Sequence, residues 1–536
     1  MLFTDPVFLF LLLPLACVAF YTITPRFGYS AGFGALLIIS LLFYYAWGPF
    51  FFTLLILSIT ANFTVACYLL LAPDEKVLSR RLALALGLLY NFATLGWFKY
   101  RFLFDYFNTN QGSGFSVVNL AIPIGISFYT FQQATFLLDA YGRERSVVAY
   151  MGDMRSGWGK LRGYIHHAFF VAFFPHLVIG PIVYLSEFQP QVEDPTFGRL
   201  RRRNLEVGLA QIAIGMFKKV VIADNVGKLA NHVFDYYAGH GALPAQTAAV
   251  GLTAISWAGA IAYYAQLYFD FSGYSDMALG TARLLGVRFP FNFYSPLKAV
   301  GVIDFYRRWH ITLTRVISRF LYMPLSVQGA RFAISRNLPK LPARILSQWI
   351  PLLLNFAIIG FWHGARATFL LFGVLQGIWY IIETEIRSTK AWKRWRKNSS
   401  DALRGTLGRI IFFILMVPCF ALFRAPDVQT FLKLMHGMFM TFDVHLHLHR
   451  ISPKMLVAGA VGGALLVVLI GFLPNSIELL RRYRPGIRTY DTPDYTPRPL
   501  KFAWRPDWRW ALFCGAIFCA TLYFISRQPP FLYMGF

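Results

Sequence analysis

The sequence predicts an all-α, polytopic integral membrane protein, and three observations carry that reading. Of its 536 residues, 57% are hydrophobic and only 14% are charged, against roughly a quarter charged in a soluble chain. The apolar residues gather into charge-free runs of about 20, the length that crosses a ~30 Å hydrocarbon layer. Basic residues sit in short clusters between those runs: Arg80-Arg81, Arg199 with Arg201, Arg202 and Arg203, and Lys390 with Lys393, Arg394, Arg396 and Lys397. With so little polar cover, a soluble multidomain enzyme, a disordered chain and a secreted disulfide scaffold are excluded.

The elements follow in order. Residues 6–25 read as a retained first span, since no basic stretch precedes them and no small-residue cleavage site follows residues 11–13. Residues 27–73 are charge-free and about twice the length of one span; Gly48-Pro49 divides them into two helices. A shorter span is expected at 82–98. Residues 106–138 carry a polar stretch near their start, so their helix is expected to begin near Val117. Further spans are expected at 163–186, 207–222, 248–269, 345–365, 367–382, 410–423, 455–477 and 511–526. The total is about 11–13 transmembrane helices, in a single membrane domain over residues 1–536. Two stretches differ. Residues 283–344, with Pro290, Pro296, Pro324 and many arginines, read as re-entrant or interfacial, with an amphipathic segment at 302–325. Residues 481–510, rich in Pro, Arg and Tyr, read as an extra-membrane loop.

Lys and Arg total 51 against 25 Asp and Glu, a net charge of +26. In a soluble protein that excess points to nucleic acid. Here no basic stretch is long enough to form a nucleic-acid-binding domain, and the clusters instead set topology and meet anionic lipid headgroups. Membrane lipids are therefore expected partners and nucleic acid is not. Positive-inside counting puts Arg80-Arg81 and residues 387–409 in the cytoplasm, whereas Lys99 and Arg101 fit poorly beside a full span over 82–98. The cysteines (Cys17, Cys67, Cys419, Cys514 and Cys519) all fall in apolar runs without a CxxC and read as small buried residues. His445, His447 and His449 alternate, but no fourth ligand lies nearby, so a solvated loop is expected and no metal site. Walker A, HExxH and GxSxG strings are absent, which removes the usual marks of ATP-driven transport and serine-hydrolase chemistry.

Ionisable groups inside apolar runs are costly and invite a functional reading. His363, in Phe361-Trp362-His363-Gly364-Ala365, ends a charge-free run. It reads as a general base held near water at the end of a span, or as a helix-end histidine bonded to a carbonyl. His310 lies among Trp309, Arg307 and Arg308 on the amphipathic segment, where an interfacial histidine is the simpler reading. Asp270, Ser272, Tyr274 and Asp276 surround Gly273, which suggests a bend. Either carboxylate could equally form a structural ion pair, Asp276 with Arg283 or Asp270 with a neighbouring arginine. The stretch from Pro123 through Gly125 and Ser127 to Tyr129, followed by Gln132 and Gln133, reads as an interrupted helix lining a cavity.

Several strings together resemble the membrane-bound O-acyltransferase (MBOAT) family, and within it the alginate O-acetylating branch. They are PIGISFY from Pro123, FPHL from Phe174 with Gly180-Pro181, FKKV from Phe217 with Ile222-Ala223-Asp224, and YAQLYFDFSGYSDM from Tyr264. FYRRWHITL from Phe305, WHGA from Trp362, Phe423-Arg424-Ala425 and the final Phe531-Leu532-Tyr533 complete the set. They run in the family's order over most of the chain. The resemblance implies the MBOAT fold and an acyl-transfer enzyme with His363 and His310 as catalytic histidines. Trp362, Trp309, Asp270, Ser272, Tyr274, Asp276, Arg307 and Arg308 are then candidates to line a substrate tunnel. It further implies acetyl-CoA or another acyl thioester as donor, with no bound cofactor. The acceptor would be an exported polysaccharide such as alginate. A periplasmic SGNH-type acetyltransferase or a polysaccharide-export complex would be the partner, in the bacterial inner membrane. Departures from the family pattern fall at Ser318-Arg319, usually Arg-Asp; at Gln376, often His; and at Ser326-Val327, usually Gly-Gly. Two alternatives stay open: D-alanyl transfer from an acyl carrier protein, and a non-enzymatic transporter or flippase.

Overall fold

The computed structural model describes residues 1–109, 122–241, 251–441, 470–471, 473–488, 503–525 and 532. Among these the chain is helical, with one isolated β-bridge between Pro290 and Ile487. Six helices are long and apolar enough to cross a membrane: Phe8–Phe27, Pro49–Leu71, Val77–Tyr100, Lys340–His363, Ala367–Ser388 and Asp401–Arg424. Tyr29–Tyr45 and Trp508–Phe524 are shorter apolar helices. Large hydrophobic side chains such as Leu11, Ile38, Leu57, Leu89 and Ile411 stand exposed on these helices. Such a surface suits lipid and not water.

At the centre lies the helix Leu252–Leu284, 33 residues long, whose side chains from Tyr263 to Leu284 are buried. Its closest neighbour runs over 202–237 as three continuous pieces: Arg202–Met216, a π-helical Phe217–Ala223, and Asp224–Tyr237. Glycines allow the two backbones to meet. A Cβ on Gly273 would lie 2.6 Å from the Gly215 carbonyl oxygen, and one on Gly280 would lie 2.6 Å from that of Gly208. Small residues at such crossings maximise backbone packing where lipid supplies no hydrophobic drive between helices.

Several expectations are corrected. Gly273 makes no bend: it sits inside an unbroken helix, and its missing side chain serves the crossing with Gly215. The 163–186 run is not one span. It breaks into Gly157–Ala172, Phe174–Leu177 and Leu185–Val192, because Pro175 and Gly180-Pro181 interrupt the ladder. The helix expected from Val117 begins at Ile126, after Gly125 in the left-handed region at φ 76°; a Cβ there would also lie 2.4 Å from the Leu177 carbonyl oxygen. The 302–325 segment is not one amphipathic helix; it is broken between Val302–Tyr306 and Ile311–Ile317. The 481–510 loop packs at both its described ends, since Tyr483 and Trp504 meet edge to face at 5.1 Å. Cys519 is exposed rather than buried. Most of the 455–477 span and of the loop centre, together with His445, His447, His449, Phe531 and Tyr533, lie outside the described residues.

Candidate active site

His363 is the last residue of the helix Ile350–His363. A helix ends with carbonyls that have no intrahelical donor, and here a neighbouring span supplies two. Lys99 Nζ donates to the Trp362 carbonyl and Tyr100 Oη to that of Phe361. The Tyr100 and Phe361 rings stack at 4.4 Å, and Lys99 Nζ lies 4.7 Å from the centre of the Trp362 ring. The misfit of Lys99 in a span is thereby resolved: its cation faces protein, at the negative end of a helix dipole. The His363 ring is partly buried, 4.9 Å from Phe423 in an edge contact and 6.2 Å from Phe369.

His310 is reached by a different device. Its backbone is left-handed (φ 43°, ψ 51°), a conformation that costs a non-glycine residue about 1–3 kcal/mol. The turn is held from outside: Tyr294 N donates to Arg308 O at 3.0 Å, and Ile311 N to Asn292 O at 3.0 Å. Asn292 also sets the ring. Thr312 Oγ1 accepts from Ile182 N and donates to Asn292 Oδ1 at 2.6 Å. Asn292 Oδ1 is thus an acceptor, so the His310 Nδ1–H, 3.1 Å away, donates to it. That assignment makes Nε2 the basic nitrogen of the neutral ring.

A wall of rings joins the two histidines. Phe293 lies 6.5 Å from His310 and 5.1 Å from Trp309; Trp309 lies 5.4 Å from Phe420; and Phe420 lies 6.5 Å from Phe423 beside His363. Trp309 lies within this run of rings, and Trp362 stands beside its far end, 4.8 Å from His363.

The other candidates have different surroundings. Asp270 pairs with Lys219 at 2.8 Å and Asp276 with Lys218 at 2.6 Å, both across the central helix crossing. The expected arginine partners are corrected: the lysines project from the π-helical turn of the neighbouring helix, while Arg283 donates to the Tyr483 carbonyl. Ser272 is buried beside this seam, and Tyr274 is buried with its ring stacked on Phe3 at 4.9 Å. Arg307 is exposed, and Arg308 pairs with Asp304 at 2.9 Å and donates to Tyr294 O at 3.4 Å. Gln132 and Gln133 clamp helices together through Phe170 O and Ser58 Oγ, each at 2.9 Å. The departures from the family pattern are also engaged: Arg319 pairs with Asp139, Gln376 accepts from Tyr306 Oη at 3.1 Å, and Ser326 Oγ donates to Ser347 O at 2.6 Å. Sequence reasoning missed Lys99 and Asn292 as parts of the site. Lys99 carried a signal, a cation near the end of a span; Asn292 carried none.

Comparison with known proteins bears on this geometry. Residues 83–422 match the family model "MBOAT, membrane-bound O-acyltransferase family". The peptidoglycan O-acetyltransferase of Helicobacter pylori is 35% identical over 454 residues, 82% of this chain and 80% of the relative. A protein of Pseudomonas putida described as probable alginate O-acetylase AlgI is 30% identical over 552 aligned residues, 100% of both chains. The teichoic acid D-alanyltransferase of Streptococcus thermophilus is 26% identical over 281 residues, 51% of this chain and 58% of the relative. The apolar helices and the bacterial relatives place the chain in the bacterial inner membrane as a multi-pass protein.

Proposed function

The chain belongs to the membrane-bound O-acyltransferase family, and from that premise we propose that it moves an acetyl group from cytoplasmic acetyl-CoA to an exported polysaccharide. The relatives that support an acetyl cargo and a polysaccharide acceptor are described as acting on peptidoglycan and on alginate. The teichoic acid D-alanyltransferase matches only about half of the chain, which favours acetyl over D-alanyl transfer. The acceptor is a glycan hydroxyl, reached directly or through an SGNH-type acetyl-carrying partner in the periplasm. The family's acyl-transfer activity removes the transporter reading.

The observation that carries this proposal is the run of ring contacts from His310 through Phe293, Trp309, Phe420 and Phe423 to His363. A thioester carbonyl is already electrophilic, so the enzyme has to deprotonate and align the attacking hydroxyl and to stabilise the oxyanion. His363 takes the hydroxyl proton as the oxygen attacks the carbonyl carbon. The C–S bond then breaks, and the proton passes to the departing thiolate. His310, fixed by Asn292, orients the donor from the other side of the wall. Trp362 and Trp309 keep the interior dry, which strengthens each of these interactions. General-base catalysis of this kind is worth roughly 10²–10⁴-fold. Membranes carrying His363→Ala, with the protein at wild-type level, should lose acetyl transfer from acetyl-CoA by that factor. Transfer at the wild-type rate would overturn the assignment.

A further inference from the structure

His310 and His363 stand on different segments of the chain, so their separation is set by whatever holds those segments together. On the His363 side the frame is a helical hairpin. The helix Ile350–His363 ends at Gly364, and the chain returns as Ala367–Ser388. A Cβ on Gly360 would lie 2.3 Å from the Phe369 carbonyl oxygen, and one on Gly373 would lie 2.2 Å from that of Phe356. The two backbones therefore touch, and a small-residue crossing of this kind fixes one helix on the other. Ala367–Ser388 carries the position of His363 with it.

The same helix grips the segment that leads to His310, through two side chains about 10 Å apart along its axis. Glu383 Oε2 accepts from Val302 N at 2.6 Å and from Ile303 N at 3.2 Å. These are the opening N–H groups of Val302–Tyr306, which have no partner within their own helix. An ion pair with Arg387, one turn on, steadies the carboxylate. At the other end of Val302–Tyr306, Tyr306 Oη donates to Gln376 Oε1 at 3.1 Å. Gln376 is fully buried, and the Tyr306 ring lies 4.6 Å from Phe356 in the first arm of the hairpin. The chain then runs directly into the site. Arg308 N and Trp309 N both donate to Phe305 O at 2.8 Å, Trp309 stacks back on Phe305 at 5.3 Å, and His310 follows. The departure at residue 376 keeps this contact possible, since a histidine there would also carry a ring nitrogen able to accept from the Tyr306 hydroxyl.

We propose that Gln376 and Glu383 are positioning residues for acyl transfer: by holding the two ends of Val302–Tyr306 on the Ala367–Ser388 helix, they set the distance at which His310 faces His363. This inference rests on the acyl-transfer reading above and adds residues that reading does not use. Reacting groups misplaced by about 1 Å lose on the order of 10²-fold in rate, so a tether between the two histidine-bearing segments is read in kcat.

The test compares full-length wild type with Gln376→Leu, Tyr306→Phe/Gln376→Leu and Gln376→His. Gln376→Leu alone strands a buried hydroxyl and should lower the unfolding temperature. The double variant replaces both partners by apolar groups of similar shape, a change that is nearly neutral for stability. It should unfold near the wild-type temperature yet transfer acetyl with kcat lowered roughly 10-fold and the KM for acetyl-CoA unchanged. Gln376→His should keep both kcat and stability. Glu383→Gln, which retains an oxygen for the two N–H groups, should lower kcat less than Glu383→Leu. A bond that only stabilises the fold predicts the opposite for the double variant, kcat returning together with stability, and that result would overturn the proposal while leaving the activity standing. A second readout needs no turnover: modification of His310 by diethyl pyrocarbonate, followed by mass spectrometry against the exposed His232. His310 should react at a changed rate in the double variant and at the wild-type rate in Gln376→His; the wild-type rate in both would overturn the tether. A changed rate in the double variant, where the wild type itself transfers no acetyl group, would sustain the tether and sink the activity.

Discussion

Where the 202–237 helix crosses the central helix, buried cations meet carboxylates; where His363 approaches His310, imidazoles meet aromatic rings and one amide. Both regions are polar groups sunk in an apolar protein, and both lie within the residues that match the family model. At the crossing, Lys219 is held by Asp270 at 2.8 Å and Asp224 at 2.6 Å, while Asp276 takes Lys218 at 2.6 Å and Ser476 Oγ at 2.7 Å. Each charge there faces an opposite one, with Lys219 shared between two carboxylates, and the pairs across the crossing fix the register of two helices. At the histidines the fixing is done by neutral neighbours, Asn292 and the rings. A carboxylate bound to a lysine has its oxygens engaged in the frame, whereas a neutral imidazole carries a ring nitrogen that can take a proton. The difference teaches which of the buried polar residues hold the frame and which work within it.

The hardest test of that division is Lys219→Met. It leaves Asp270 and Asp224 facing each other without their shared cation, and breaking a buried pair costs about 3–5 kcal/mol. The variant should fail to accumulate in membranes. Adding Asp270→Asn and Asp224→Asn should restore accumulation together with measurable acetyl transfer, because both carboxylates are then neutral. Restored protein without any transfer would move Asp270 or Asp224 from frame to chemistry.

Next in size is Asn292→Ala. It removes the acceptor that fixes the His310 tautomer while leaving the fold's ionic seam untouched. A misplaced catalytic ring costs on the order of 10²-fold, so kcat should fall by about that factor. Thermal unfolding should shift little. A large loss of stability with kcat retained would put Asn292 with the frame.

Gly273→Ala probes the crossing by sterics alone. Its Cβ would press on the Gly215 carbonyl oxygen, backbone that can yield only by separating the helices. Overpacking of this type costs about 1–3 kcal/mol. A lower unfolding temperature with normal kcat in the surviving protein is expected, and the reverse would show that the crossing reaches the histidines.

The same comparison explains what the sequence made legible. Spans and their division at Gly48-Pro49 could be read because apolar length is a local property, and the structure ends Tyr29–Tyr45 and starts Pro49–Leu71 around that dipeptide. His363 was visible for the same reason, a polar residue closing a charge-free run. What could not be read is pairing at a distance. Asp276 has Arg283 seven residues along the chain, yet its partner is Lys218, 58 residues away. The helix therefore continues to Leu284 through residues too polar for a simple span, since their charges are matched inside the protein. Lys99 looked misplaced until the Trp362 carbonyl, 263 residues further on, was found above it.

Lys99 also gives the finest test, because it belongs to neither class by inspection. It is a cation on a spanning helix, half-buried where Lys219 is buried, and its neighbours are a helix-end carbonyl and an indole face. Lys99→Met keeps the apolar stem and removes the charge. The loss of one helix-end interaction and one cation–π contact is worth about 1–2 kcal/mol. If Lys99 only caps the helix, the unfolding temperature should fall modestly, and Lys99→Arg, which keeps donor and charge, should recover it with kcat near wild type throughout. If kcat instead falls in both variants while the unfolding temperature holds, the ammonium group acts on the neighbouring His363. Lys99 then joins the histidines, and the line between frame and chemistry runs through the end of the Lys340–His363 span.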